Sequence, residues 1–115
     1  IGQLSGLKNN KVIINLNPSK PPVNMMNSIF FECKNVNGIK IKKANLVLKN
    51  INRTIKKYIP GYNAKLFYKK SEKFFRVTIR VVGSGDYLST FAGNLDIITS
   101  SSAYIGHLLN EKHNY

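Results

Sequence analysis

Cysteine is almost missing. Cys33 is the single thiol among 115 residues, so no internal disulfide can form, and the chain suits a reducing, cytoplasmic setting. Acid is scarce too. The five carboxylates Glu32, Glu72, Asp86, Asp96 and Glu111 are scattered, and no two form an obvious acid–base pair. The two histidines, His107 and His113, are six apart, which does not put them on one helical face. No Cys or Asp cluster joins them, so no metal site is expected. No apolar run approaches the ~18–20 residues that span a membrane, and Ile1 to Asn10 lacks the pattern of a signal peptide. A dinucleotide loop is also incomplete. Gly83-Ser84-Gly85 begins a G-x-G-x-x-G, but Leu88 stands where the third glycine belongs, so the segment reads as a turn.

What is abundant is lysine. The net charge of +13 comes from 15 Lys and only 3 Arg, and Asn (15) and Ile (13) are equally frequent. Lys, Asn and Ile are the residues that AT-rich codons write, which explains the charge without a polyanionic partner. Arg53, Arg76 and Arg80 are few and scattered, whereas readers of bases and phosphates favour the two-pronged Arg fork. Specific nucleic-acid binding is therefore not expected. The rival reading is a basic module with Tyr62, Phe67, Tyr68, Phe74 and Phe75 as stacking platforms, but strand aromatics at such spacings more often fill a core.

At 115 residues with 43% apolar content, one domain covering residues 1–115 is expected. Lys11–Asn17 is β-branched and reads as a strand, stopped by Pro18, Pro21 and Pro22. Met26–Cys33 is a second strand, followed by a turn at Asn35–Gly38. Ile39–Tyr58 carries Ala44, Val47, Leu48, Ile51, Ile55 and Tyr58 at helical spacing, with a lysine-rich opposite face. Pro60 and Gly61 end it. Ala64–Tyr68 and Phe74–Val82 form a hairpin around Lys69–Lys73. In its second strand Phe75, Val77, Ile79 and Val81 face one way and Arg76, Thr78 and Arg80 the other, as in a half-buried antiparallel strand. A closing helix runs from Asn94 to about Asn110, with Leu95, Ile98, Ile105 and Leu109 inward. The order β-β-α-β-β-α implies an α+β fold: a mixed or antiparallel sheet with helices on one face.

Few side chains invite chemistry. Cys33 follows Phe30, Phe31 and Glu32 inside a strand, a setting that suits a small buried filler better than a nucleophile. Asp96 falls in the first turn of the last helix, where the helix dipole favours an anion. Two stretches are richer than a surface requires: NPSKPP at Asn17–Pro22, and GDYLSTFAGNLDIITSSSA at Gly85–Ala103. The second places Asn94 after Ala92-Gly93. Asn94 can cap the helix, or it can offer a donor and an acceptor to a primary carboxamide such as that of nicotinamide.

KVIINLNPSKPPVNMM (Lys11–Met26), YIPGY (Tyr58–Tyr62) and GDYLSTFAGNLDIITSSSA, in that order and at those distances, resemble the C-terminal half of acylating acetaldehyde dehydrogenases. The resemblance spans nearly the whole chain. It implies the dimerisation domain of a homodimeric enzyme whose NAD-binding Rossmann domain is absent here, so the chain, which opens on Ile, reads as a fragment. That family converts acetaldehyde, NAD and coenzyme A to acetyl-CoA and NADH, in partnership with 4-hydroxy-2-oxovalerate aldolase in aromatic catabolism. A thiolate adds to the aldehyde, hydride leaves to NAD, and coenzyme A captures the thioester. The resemblance places the nucleophilic cysteine upstream and no catalytic residue in this chain, so the isolated chain is expected to be inactive. It assigns a cofactor contact to Asn94. Ser89 and Phe91 stand where the family often has Pro and Tyr. The alternative within the same resemblance is a remnant that dimerises and catalyses nothing.

Overall fold

The computed structural model describes residues 2–32, 38–69 and 74–113. A single-turn helix α1 (Gly2–Ser5) precedes strand β1 (Met25–Glu32), helix α2 (Gly38–Ile55), strands β2 (Tyr62–Tyr68) and β3 (Phe74–Val81), and helix α3 (Gly93–His113). The three strands form one antiparallel sheet in the order β1-β3-β2. The α+β class and the antiparallel sheet are therefore as the sequence implies. Cys33, Glu72, most of the Asn35–Gly38 turn and most of the Lys69–Lys73 loop lie outside the described residues.

β3 is central because its alternation suits both neighbours. Val81 lies opposite Met25 on one side and Tyr62 on the other, and Val77 lies between Ile29 and Leu66. The odd-numbered face of β3 carries the core. Val77, Val81, Tyr62 and Ala64 are buried with Ile59, and Leu48, Ile55, Ile79 and Ile97 pack against them. Both long helices contribute to this one face.

The expected strand at Lys11–Asn17 does not form. The segment is not hydrogen-bonded as a strand, and Val12, Ile13, Ile14 and Leu16 are 61–91% exposed. Apolar alternation creates a tendency to extend, but a strand also needs a neighbouring ladder for its N–H and C=O groups. No described residue supplies one.

The stripes of both helices also differ from expectation. On α2 the inward positions include Ile41, Ala44, Leu48, Asn52 and Ile55, while Val47 and Ile51 are 48% and 37% exposed. The reason is Asn52. Its side-chain amide donates to the Ala64 carbonyl and accepts from the Ala64 N–H, both at 2.8 Å. β2 is an edge strand, and this amide satisfies one residue of its open edge from a helix. On α3, Leu95, Ile98, Ile105 and Leu109 are 46–64% exposed. The inward residues are Ile97, Ser100, Ser101 and Tyr104, because Ile97 meets the core and Tyr104 stacks on Tyr58 at 4.6 Å between ring centroids.

Two predictions follow from this packing. Asn52→Ala leaves both polar groups of Ala64 without their partner and should cost about 1–3 kcal/mol, read from the urea midpoint at unchanged slope. Burial first, and Tyr58 second, push the Tyr62 phenol above its ordinary value of 10.0. In the unfolded chain that phenol ionises sooner, so its contribution to stability is complete below pH 10.0 and is lost above it. Tyr62→Phe should therefore flatten the fall in melting temperature on the alkaline side.

Candidate functional site

Asn94 sits where three constraints meet. The first is the close approach of α3 to β3. A Cβ on Gly93 would lie 2.6 Å from the Val81 carbonyl oxygen, so only glycine lets the helix start this near the strand end. The second is a brace between the loop and the helix. The Ser84 N–H donates to Asp96 Oδ2 at 2.6 Å across twelve residues. The third is the closure of the loop on itself. Gly83 N–H donates to the Thr90 carbonyl at 2.8 Å, and Ala92 N–H to the Ser89 carbonyl at 2.8 Å.

The helix start is not capped by Asn94. Leu95 N–H and Asp96 N–H both donate to the Ala92 carbonyl, at 3.0 and 3.2 Å, which places the cap at Ala92 and Asn94 inside the first turn. The capping reading of Asn94 is thus corrected. The shift follows from Gly93, whose fit against Val81 starts the helix one residue early. No hydrogen bond joins the Asn94 side chain to another described residue, and the side chain is exposed. In the loop that precedes α3, Tyr87, Leu88 and Phe91 are 101%, 43% and 40% exposed. An amide with both functions unspent fits a primary carboxamide.

Asp96 occupies the first turn of α3 as expected, but the sequence conceals its larger task as acceptor for Ser84. No spacing rule links a loop amide to a carboxylate twelve residues on. The other rich stretch, Asn17–Pro22, is an exposed turn. Asn17 Oδ1 accepts from Ser19 N–H at 3.0 Å, and Ser19 Oγ donates to the Pro21 carbonyl at 3.3 Å. No described hydrogen bond joins it to the Asn94 loop. His107 lies 3.8 Å from Glu111 one turn along α3, both well exposed. Among the described residues no three His, Cys, Asp or Glu side chains converge as metal ligands, and no helix is long and apolar enough to cross a membrane. Of the five aromatics proposed as stacking platforms, the sheet sends Tyr62, Tyr68 and Phe75 to the covered face and Phe67 and Phe74 to the open one.

An antiparallel sheet with helices on one face, and a helix start braced to the loop before it, define a small α+β domain. The family model for prokaryotic acetaldehyde dehydrogenase, dimerisation, matches residues 1–89. An acetaldehyde dehydrogenase of Bacillus cereus is 35% identical over 106 residues, covering 92% of this chain and 34% of the relative. One from Spirochaeta aurantia is 37% identical over 102 residues, 89% of this chain and 33% of the relative. One from Pectobacterium atrosepticum is 32% identical over 108 residues, 94% of this chain and 36% of the relative. The chain belongs to the prokaryotic acetaldehyde dehydrogenase family and corresponds to its dimerisation domain. It spans about a third of the length of these curated relatives.

The brace can be tested directly. Asp96→Ala should speed hydrogen exchange at the Ser84 amide at least several-fold and cost about 1.5–3 kcal/mol, the range for a charge-assisted hydrogen bond. Asp96→Asn should recover part of it. Unchanged exchange at Ser84 in Asp96→Ala would contradict the brace.

Proposed function

We propose that this chain serves as the dimerisation domain of an acylating, NAD-dependent acetaldehyde dehydrogenase, and that it supplies one cofactor contact through Asn94. The observation that carries the second part is the exposed, unspent amide of Asn94 in the first turn of α3, a helix start held by Gly93 and Asp96. NAD accepts a hydride when bound. In this reading Asn94 donates to the carboxamide oxygen of the nicotinamide and accepts from its NH₂, which sets the rotation of the ring. Coenzyme A is the cosubstrate, and the nucleophilic thiolate and most of the NAD site belong to the rest of the enzyme. An aldolase partner, aromatic catabolism and a cytoplasmic setting complete the proposal. Cys33 takes no part in the chemistry.

The non-catalytic remnant remains the second reading. Its support is the lack of a free carboxylate in the first turn of α3, where Asp96 is engaged by the Ser84 N–H.

One pair of measurements tests both. The 115-residue chain should form no NADH from acetaldehyde, NAD and coenzyme A. In an enzyme that joins this chain to a nucleotide-binding domain, Asn94→Ser should weaken NAD use about ten-fold, equivalent to one hydrogen bond of roughly 1–2 kcal/mol, with an unchanged melting temperature. Wild-type NAD kinetics in Asn94→Ser would end the cofactor role. NADH formation by the isolated chain, abolished by Cys33→Ser, would overturn the assignment of catalysis elsewhere.

A further inference from the structure

Scattered in the sequence, Arg76 and Arg80 are brought to one place by β3. Both are even-numbered, so the alternation of the strand sends both to the face opposite α2 and α3. There they line a hollow of about 450 Å³. Lys65 lines it too, from β2, where it lies opposite Thr78 and so between the two arginines. The arginine Cα atoms are about 13 Å apart along the strand at ~3.3 Å per residue, with Lys65 midway and one strand across.

Among the described residues no carboxylate pairs with these three cations, and none lines the hollow. Glu32, at the far end of β1, is outside it. The neutral lining adds donors. Ser28 and Thr78 bring hydroxyls and Asn63 an amide, and none of the three side chains bonds another described residue. Arg76 is also fixed in place. Its guanidinium lies 4.8 Å from the ring centroid of Phe67, its direct neighbour in the ladder. A planar head held on a ring keeps its N–H fork available for oxyanion oxygens. It also keeps that fork at its own end of the hollow. One phosphate therefore does not meet both arginines, whereas two linked phosphoryl groups do.

We propose that this hollow binds a diphosphate group, with Arg76 on one phosphoryl, Arg80 on the other, Lys65 between them and the Thr78 hydroxyl donating from the floor. The site is separate from the Asn94 contact and depends neither on it nor on the dimerisation role.

The experiment is isothermal titration calorimetry of the full 115-residue chain with inorganic diphosphate at physiological ionic strength, with melting temperature as the check on folding. Diphosphate should bind saturably, and inorganic phosphate at least ~10-fold more weakly. Arg76→Gln and Arg80→Gln should each weaken diphosphate binding at least ~10-fold, the effect of one lost charge-assisted contact. Phe67→Leu, which keeps every charge but releases the Arg76 head, should weaken it several-fold. Lys42→Gln, an equal loss of charge on exposed α2, should leave it unchanged. ADP separates the two sources of the group: binding as tight as that of diphosphate assigns the site to a nucleotide diphosphate, and weaker binding assigns it to the free anion. Absence of saturable binding would overturn the site. Equal affinity for phosphate would overturn the two-phosphoryl class. A loss in Lys42→Gln as large as in Arg80→Gln would reduce the effect to diffuse charge. A single-stranded oligonucleotide bound to this face and not displaced by diphosphate would assign it to nucleic acid instead.

Discussion

The structure turns on the end of β3. Val81 is fully buried, and two backbone segments close on this strand end, one at Val82 and one at Val81. A Cβ on Gly61 would lie 1.8 Å from the Val82 carbonyl oxygen, and one on Gly93 would lie 2.6 Å from that of Val81. Val82 N–H also donates to the Gly61 carbonyl at 3.1 Å. The entry to β2 and the entry to α3 are therefore pinned to two adjacent residues, Val82 and Val81, at the end of β3. Because neither glycine has a side chain, backbone meets backbone, and the helices share one face of the sheet. The first turn of α3, with Asn94, is held in place by the Gly93–Val81 contact, so the proposed cofactor contact and the core share a foundation.

One consequence is a thin core and a large surplus of apolar surface. Among the described residues six hydrophobic side chains are buried, whereas Val12–Leu16, the outer side of α3 and the open sheet face all remain exposed. The radius of gyration is 16.8 Å, against about 13 Å for a compact chain of this length. A helix apolar on two sides, such as α3, and a sheet apolar on two faces are each suited to a neighbour on both.

The sequence reading and the structure agree most closely where a pattern is local and strong. The alternation of β3 set its faces correctly, residue by residue, because a period of two leaves no choice once one side is apolar. The hairpin between β2 and β3 and the helix ending near Pro60 were legible for similar reasons. Lys11–Asn17 was equally strong as a pattern, yet it forms no ladder, since pairing depends on a partner that periodicity does not record. The α3 stripe failed for a related reason: with apolar residues on several sides, the choice of inner face belongs to whatever lies beneath, here Ile59, Val81 and Tyr58.

By itself the sequence determined the family, through KVIINLNPSKPPVNMM, YIPGY and AGNLDI in fixed order, and with it the α+β class and the shortage of catalytic groups. Those are properties of residue identity and local spacing. Tertiary structure alone decided that Asn52 pairs with Ala64 at the edge of β2, that Asp96 holds Ser84, that Ala92 rather than Asn94 caps α3, and which aromatics share a face with Arg76 and Arg80. Each of these joins residues on different elements or depends on where a helix begins. Such contacts are set by the path of the backbone through space, and the decisive bends of that path occur where Gly61 and Gly93 let chains touch.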